Sequence, residues 1–598
     1  MGPRRWWRRF WLGREDPRAI ALFRIVFAFL VICDVNDLWE HFGFLFTDEG
    51  IFPADVARQV FARRQFAGFG DGMIDGEPWG FFDLEAVGRF LGGPKFSLLY
   101  FWDTPAAAWI HIAALELVAV AFMIGLSTRA SAIVCFALMI SLFDRNPLFW
   151  EGTELAFRVF FVYLLFARSG HAWSVDNWLR CRRLRRLGRA DEPVYRMIPA
   201  WPRHLMMLQL AVVFFTTGAL KHGAVWMRGD AVYYALNLDH FYRFPPQQLS
   251  ALFGTNLLRL VTWFVRFGEI GFALVFVGEV LRVAQEHREG PESRTWRVLR
   301  WTRRWILGRR IWVTWAVATM GGIFVVMNIG QFQPVMLCAC LLYFRGEEVA
   351  RVVARALRRP APIAADDDGR EWAYGPLGRF CTGTLIAWHI AAVAIWLVPA
   401  RDSIESIRKP ARALVRPWLE LTRTTQGWGM FAPNPPRHNV FMRVLVTDEH
   451  GEVWDLRSDV YAEEQRAIPF IWNDRMRKMN RRIIGGEGDG GSWYRKWYAR
   501  WQCRQWALEH DGRVPKDVQL VKVSYAIPTP EAVREHGWYR PEDRLRTHGK
   551  DELVHTERCV TAVLGQPLPE VALRHGITSS ARFRPWIKRR RQAWENRD

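Results

Sequence analysis

The feature that most constrains this chain is an alternation of long apolar runs with arginine-rich connections. A helix that crosses a bilayer needs roughly 20 mostly apolar residues, and nine runs approach or reach that length. They lie at residues 19–38, 106–126, 129–144, 154–169, 203–221, 256–281, 310–329, 331–345 and 379–399. The pattern predicts an all-α polytopic membrane bundle of about nine transmembrane helices.

The distribution of arginine predicts how this bundle is oriented. Arginines cluster before the first run and in the connections 170–202, 282–309 and 346–378, while the alternate connections carry few basic residues. Cytoplasmic loops of membrane proteins carry an excess of Lys and Arg. We therefore expect a cytoplasmic basic N-terminus at 1–18, a transmembrane domain at 19–399, and residues 400–598 outside the cytoplasm.

The net charge of +21 raises the question of nucleic-acid binding. No nucleic-acid-binding motif is present, and the arginines lie beside apolar runs. The 32 tryptophans also favour a membrane, because Trp is enriched where the bilayer meets water. Membrane lipids are therefore the expected partners, and nucleic acid is not.

Two segments outside the runs have a structure of their own. Residues 39–104 are too long for a simple turn and predict an extracytoplasmic cap, with a turn and a short helix within 46–64. Residues 400–598 predict a small soluble α+β domain. Its predicted elements are strands at 441–447, 453–460 and 518–526, a helix at 493–510, a glycine-rich loop at 485–491 and a basic tail at 588–592.

Cysteine usage gives one open question and no metal site. Cys503 and Cys559 both lie in the C-terminal domain and could form a disulfide if that domain faces an oxidising compartment. Cys338 and Cys340 are spaced too closely for a zinc finger and lie in an apolar run, so no metal is predicted.

Ionisable residues within the runs mark candidate functional positions, because burying charge in a membrane is costly. Glu154 and Arg158 are four residues apart, which favours an ion pair on one helix. Arg259 and Glu269 share a stripe with Arg266. These pairs could equally fix the register of helices. His111 and His389 are expected to be structural.

Lys221 ends the fifth apolar run and allows two interpretations. As an interface anchor, it would reach the outer membrane surface. As a base, it would be buried among Phe214, Phe215, Leu220 and Trp226, where loss of solvation disfavours the ammonium form. A neutral amine could then accept a proton.

Three stretches together resemble a known family. They are FTDEGIFP at 46–53, GHAWSVDNW at 170–178 and FFTTGALKHGAVWMRG at 214–229. They resemble the membrane domain that vitamin K-dependent gamma-carboxylases share with bacterial horizontally transferred transmembrane (HTTM) domain proteins, over roughly residues 17–345. The resemblance implies a multi-pass protein of the bacterial inner membrane.

The resemblance also implies a chemistry. Lys221 would be the base that deprotonates reduced vitamin K or menaquinone, and Gly218, Trp226 and Gly229 match the setting of that lysine. The activity would be that of a gamma-glutamyl carboxylase-like lyase and oxygenase acting on an extracytoplasmic protein. The chain departs from the carboxylases at Thr153, near the place where they carry a histidine.

These observations lead to one main hypothesis and two alternatives. In the main hypothesis, Lys221 acts in an outward-opening cavity, and the candidates for lining this cavity are Glu154, Arg158, Arg259 and Glu269. The first alternative is a non-enzymatic membrane protein that binds a lipid or quinone and whose C-terminal tail binds a partner. The second is a transporter, which we rank last because the sequence shows no convincing internal repeat.

Overall fold

The computed structural model describes residues 3–62, 65, 93, 95–189, 192–286, 294–360, 365, 369–456, 474–485, 488–559 and 566–578. The longer helices are α1 (Pro3–Leu12), α2 (Arg18–Asn36), α3 (Pro105–Ile124), α4 (Thr128–Arg145), α5 (Gly152–Phe166), α6 (Trp201–Leu220), α7 (Leu249–Gly271), α8 (Ala273–Glu286), α9 (Arg294–Trp305), α10 (Arg309–Val326), α11 (Phe332–Cys340), α12 (Pro376–Leu397), α13 (Glu405–Leu421), α14 (Arg475–Gly485) and α15 (Gly488–Glu509).

The remaining helices, most of which are shorter, connect these elements or lie in the C-terminal domain. They are Phe42–Phe46, Ala54–Phe61, Val175–Arg186, Ala224–Arg228, Ala231–Leu236, Gly346–Ala356, Pro530–His536, Pro541–His548 and Pro569–Arg574. The strands are β1 (Arg14–Glu15), β2 (Ile198–Pro199), β3 (His438–Thr447), β4 (Val453–Asp455), β5 (Asp517–Ala526) and β6 (Lys550–Arg558).

The apolar runs form helices, but not all of these helices have the length and composition of a membrane span. Within the described residues, five helical stretches are long and apolar enough to cross a membrane. They are Arg18–Phe46, Pro105–Ile124, Trp201–Leu220, Leu249–Glu286 and Pro376–Leu397. The helices at the other predicted runs are shorter, more charged or less apolar. The predicted count of nine spans is therefore not confirmed.

The bundle has two distinct ends. At one, which we call the N-terminal end, β1 pairs with β2 just before α6 begins, and the N–H of Ala373, just before α12, donates to the carbonyl of Leu12. At the other, the C-domain end, α2 and α6 finish and the C-terminal domain packs. The N-terminus and the C-terminal domain thus lie at opposite ends of the bundle.

The C-terminal domain is built on a four-stranded antiparallel sheet in the order β4-β3-β5-β6. Helices α14 and α15 pack against this sheet, where alternate residues of β3 and β5 are buried. The predicted strands at 441–447 and 518–526 are confirmed. The strand predicted at 453–460 is present up to Asp455, and its second half lies outside the described residues.

Other predictions for the extramembrane segments have mixed outcomes. The glycine-rich loop predicted at 485–491 is wrong where the structure describes it, because α14 extends to Gly485 and α15 begins at Gly488, while residues 486–487 lie outside the described residues. The short helix predicted in the cap is present as Ala54–Phe61. Residues 66–92 of the cap and the basic tail at 588–592 lie outside the described residues.

Residues 405–436 return to the bundle before the sheet begins. Helix α13 folds back on α12, and the indole N–H of Trp418 donates to His389 Nδ1 over 3.2 Å. The chain then crosses the bundle in extended form, where the amide of Gln209 on α6 donates to Gln426 over 2.6 Å. Irregular backbone at this depth is tolerated because it is covered by protein.

A buried ion cluster joins the C-terminal domain to the bundle. Arg475, the first residue of α14, donates one guanidinium nitrogen to Asp34 on α2 and another to Glu154 on α5. Each of the three side chains is at most 2% exposed. Although burial alone would lower it, the two carboxylates raise the pKa of Arg475 above its ordinary value. The cluster therefore holds a fixed positive charge where the domain meets two bundle helices.

Replacing Arg475 tests the importance of this cluster. Arg475→Met leaves two carboxylates buried without their cation, so we expect a loss of roughly 3–5 kcal/mol of stability and a clearly lower thermal midpoint in detergent. The triple variant D34N/E154Q/R475M should recover much of it, because no charge is then buried. Arg513→Gln, at a half-exposed surface pair with Glu449, is the control and should change stability by only about 0–1 kcal/mol. An unchanged midpoint in Arg475→Met would contradict this account.

Candidate functional site

Lys221 lies directly after the last residue of α6, where the helix opens into a loop. Its side chain is 3% exposed. The Nζ atom lies 2.6 Å and 2.7 Å from the two carboxylate oxygens of Glu269 on α7, and donates to both. The same nitrogen stands 4.6 Å from the centre of the Trp226 ring. Lys221 is thus a buried amine held between a carboxylate and an aromatic face.

Gly218 allows the two helices to approach this closely. It lies one turn before Lys221, and a Cβ added to it would stand 2.9 Å from Glu269 Cβ and 2.9 Å from Ile270 Cγ1. Any larger side chain would push α6 and α7 apart. The glycine therefore sets the distance between the amine and its carboxylate.

Gly229 and Arg259 form a neighbouring contact that does not include Lys221. Gly229 has φ +83° and ends the helix Ala224–Arg228, a conformation that favours glycine. A Cβ there would stand 2.5 Å from Arg259 Cγ. The Arg259 guanidinium donates to Asp230 over 3.0 Å. This pair anchors the loop after Lys221 to α7.

The loop after Lys221 is held by the segment 427–436. The indole N–H of Trp226 donates to the carbonyl of Phe431 over 2.8 Å. The N–H of Gly223 donates to the carbonyl of Pro433 over 3.0 Å, and that of Val225 to Asn434 Oδ1 over 2.9 Å. The first N–H groups of a helix have no partner within it, so the start of the helix Ala224–Arg228 needs acceptors, and this segment supplies them.

Sequence reasoning missed the contact between these two segments. GWGMFAPNPP is more than 200 residues after Lys221 along the chain, and its prolines and Gly-Trp-Gly predict an interface-lying segment that leads from the membrane into the C-terminal domain. The available signal was indirect: the first N–H groups of a helix such as Ala224–Arg228 require acceptors, and a proline-rich stretch offers carbonyls with few competing donors. A second missed element is Arg475, whose position in a basic helix gave no sign of its burial.

Glu154 and Arg158 lie in other surroundings. Glu154 pairs with Arg475, and its second oxygen accepts the N–H of Glu151 over 2.6 Å. Arg158 donates to the carbonyl and hydroxyl of Thr425. The predicted Glu154–Arg158 ion pair is absent from the described residues. Thr153, beside Glu154, is 1% exposed, and its hydroxyl has no hydrogen-bond partner among them.

The two histidines expected to be structural have ordinary hydrogen bonds. His111 Nε2 lies 3.1 Å from the carbonyl of Leu138. His389 lies 2.9 Å from the hydroxyl of Tyr163 and accepts from Trp418. Both rings bridge neighbouring helices within the bundle.

The three stretches that carry the family resemblance do not converge on one place. In the first, the carbonyls of Glu49 and Gly50 accept from Trp501 and Arg504 of α15. In the second, Asp176 accepts the N–H groups of Ser127 and Thr128 at the start of α4. The first and second stretches thus have structural contacts at opposite ends of the bundle, and the third forms the Lys221 site.

A cavity of about 340 Å³ lies at the N-terminal end of the bundle, away from Lys221. Its lining includes Arg9, Glu15, Arg203, His204, Arg282 and Glu286. None of the residues predicted to line an outward-opening cavity belongs to it. Arg203 and Glu15 form an ion pair of 2.7 Å across it.

Residues 88–281 match the family model of the HTTM domain. The matched range includes Lys221, Glu269, Trp226 and both glycines of the site. No solved structure matches the chain. Together with its apolar helices, the domain indicates an integral membrane protein.

The close approach at Gly218 can be tested with a matched glycine. Gly218→Ala should destabilise the protein by about 1–3 kcal/mol, because its methyl group meets Glu269 and Ile270. Gly322 in α10 has no atom within 4 Å of the corresponding position, so Gly322→Ala should be neutral or slightly stabilising. Thermal midpoints of both variants in the same detergent provide the measurement. Equal midpoints would show that α6 and α7 can separate at little cost.

Proposed function

We propose that this protein is a membrane enzyme in which Lys221 accepts a proton from a reduced, lipid-soluble quinone. The observation that carries the proposal is the buried Lys221 amine on the Glu269 carboxylate. The HTTM match fits the resemblance to the gamma-carboxylases, in which a lysine has this role. The burial of Lys221 argues against the alternative of an interface anchor, whose amine would reach water.

The Glu269 carboxylate can accept a proton from Lys221. In a site of low polarity, a neutral amine beside a carboxylic acid competes with the ion pair, because separated charges there lack solvation. The two heteroatoms are already at hydrogen-bond distance, so the proton can shift from Nζ to the carboxylate. Lys221 is then able to accept a proton from a weakly acidic hydroxyl.

The surroundings of Lys221 are chemically suited to a quinol. The Trp226 ring faces the Lys221 amine and belongs to an apolar cluster that also includes Phe431 and Phe241, whose ring centres are 5.4 Å apart. Reduced vitamin K or menaquinone would supply the acidic hydroxyl and, after reaction with oxygen, the strong base that carboxylation needs. Because Thr153 stands where the carboxylases have a histidine, our proposal is proton abstraction from the quinol, with peptide carboxylation as a separate test.

We also propose nine membrane crossings, a cytoplasmic N-terminus and an extracytoplasmic C-terminal domain. Arg-rich segments at the N-terminal end of the bundle support this orientation. The bond between Cys503 and Cys559 supports it too, because disulfides persist in oxidising compartments. An extracytoplasmic protein substrate or partner would then meet the C-terminal domain first.

A second candidate function is non-enzymatic binding of a quinone or lipid. It is favoured by the fact that both Glu269 oxygens accept from Lys221, which satisfies the pair without a ligand. It is also favoured by the position of the 340 Å³ cavity at the other end of the bundle. The two functions differ in turnover, which the following experiment measures.

Turnover of reduced quinone tests the role of Lys221. Protein in detergent is supplied with reduced menaquinone or vitamin K, oxygen, bicarbonate and a glutamate-rich peptide, and mass spectrometry follows quinone epoxide and peptide mass. Lys221→Ala should lower epoxide formation by about 10²–10⁴-fold, because the base is lost. Lys409→Ala, at an exposed lysine, should leave it unchanged.

A double variant separates catalysis from stability. Lys221→Ala alone leaves Glu269 buried without a cation, whereas K221A/E269Q removes both charges and should restore the thermal midpoint but not the activity. Quinone that binds to the wild-type protein without any epoxide would establish the binding function instead. Absence of both binding and epoxide would leave Lys221–Glu269 as a structural ion pair.

The orientation can be tested through the disulfide. If thiols are blocked in intact cells before lysis, Cys503 and Cys559 should react only after later reduction, because the domain lies in an oxidising compartment. Cys503→Ser should cost about 2–4 kcal/mol of stability, whereas Cys381→Ser, at an exposed free cysteine, should cost little. Immediate blocking of both thiols would overturn the extracytoplasmic assignment.

A further inference from the structure

Helix α9 (Arg294–Trp305) is the longer helix whose side chains the bundle leaves most uncovered. None of its residues is buried. It packs beside the last turns of α8, where the Arg303 guanidinium donates to Gln285 over 2.7 Å. Since α8 finishes at the N-terminal end of the bundle, α9 lies at that end, opposite the C-terminal domain.

The two outward faces of α9 have different chemistry. Val298, Trp301 and Trp305 follow one another at helical spacing and are each 56–57% exposed. Arg297, Arg300 and Arg304 are exposed on one flank of that stripe. The half-buried residues, Trp296, Leu299 and Arg303, lie on the opposite side, towards the bundle. The outward side of α9 is thus amphipathic, because an apolar stripe lies beside a row of arginines.

The apolar stripe continues a larger exposed apolar surface. Phe267, Leu274 and Val277 on the membrane-length stretch Leu249–Glu286 are 36–60% exposed. Ile311 at the start of α10 is 43% exposed. A surface of this kind along membrane-length helices faces lipid chains. The stripe of α9 therefore lies where that surface reaches the end of the bundle, and its tryptophans suit the boundary between lipid chains and water.

From this placement we infer that α9 lies in the membrane interface and binds anionic phospholipid headgroups through Arg297 and Arg304. The apolar stripe would insert among the acyl chains next to the bundle, and the cations would meet lipid phosphates. Helices with this composition bind the interface with a strength that depends on lipid charge. The inference rests on the membrane placement of the bundle and is independent of chemistry at Lys221.

The test compares the full-length protein in nanodiscs of phosphatidylcholine with nanodiscs of phosphatidylcholine and phosphatidylglycerol in equal amounts. Hydrogen exchange of peptides covering 294–305 should be slower in the anionic discs. The variant R297Q/R304Q should lose this difference. In native mass spectrometry it should also retain phosphatidylglycerol more weakly, by roughly fivefold for each arginine removed.

Two further variants serve as controls for this test. R297K/R304K preserves charge and should preserve the lipid difference, which a merely misfolded helix would not do. R513Q/R540Q/R546Q removes three exposed arginines of the C-terminal domain and should leave the difference at 294–305 intact. Equal exchange in the two kinds of disc, or equal phosphatidylglycerol retention by the first variant and the wild type, would overturn the inference.

Discussion

The need to pair buried charge determines how the parts of this protein are joined. Inside a bundle that displaces water, an isolated carboxylate or guanidinium is strongly unfavourable. Arg475 meets this need for Asp34 and Glu154 at once, and in doing so fixes the C-terminal domain to two bundle helices. Without that cation, the ends of α2 and α5 could not be buried in their present form. The C-terminal domain therefore supplies a cation that two buried carboxylates of the bundle require.

The same need explains the surroundings of Lys221. Its amine lies on Glu269, its loop is tied to α7 by Arg259 and Asp230, and its backbone is covered by the segment 427–436. The first two contacts involve α7, and the third involves a segment that is distant from both in the sequence. The site is consequently stiff, since movement of α7 or of the 427–436 segment would uncover a buried polar group. Such stiffness suits either a base held for proton transfer or an ion pair that fixes two helices.

Periodicity and composition made much of the fold predictable, because burial in lipid or in a sheet leaves a local pattern. The apolar runs formed helices, the strands at 441–447 and 518–526 were located, and Lys221 was singled out with Gly218 and Trp226. Partner identity was not predictable in the same way. Glu154 had a suitable neighbour in Arg158 at helical spacing, yet it binds Arg475, 321 residues away in sequence. Local spacing permits an ion pair, but three-dimensional packing decides between competing cations. The number of spans was not fixed by pattern either, because short or charged helices such as α11 and α5 can be largely buried within a bundle.

The two ends of the bundle differ in how many of their positive charges are exposed. At the C-domain end, charges are paired internally and covered, as with Lys221 and Arg475. At the N-terminal end, Arg203 is likewise paired with Glu15, but other arginines remain at the surface, and those of α9 stand beside an exposed apolar stripe. Internal pairing gives a cation one fixed partner and hence a defined geometry, which is what a proton-transfer site requires. Surface cations instead keep their attraction for mobile anions, which is what anchoring in a charged leaflet requires. The buried, paired Lys221 and the exposed arginines of α9 are therefore two ways in which a membrane protein accommodates positive charge.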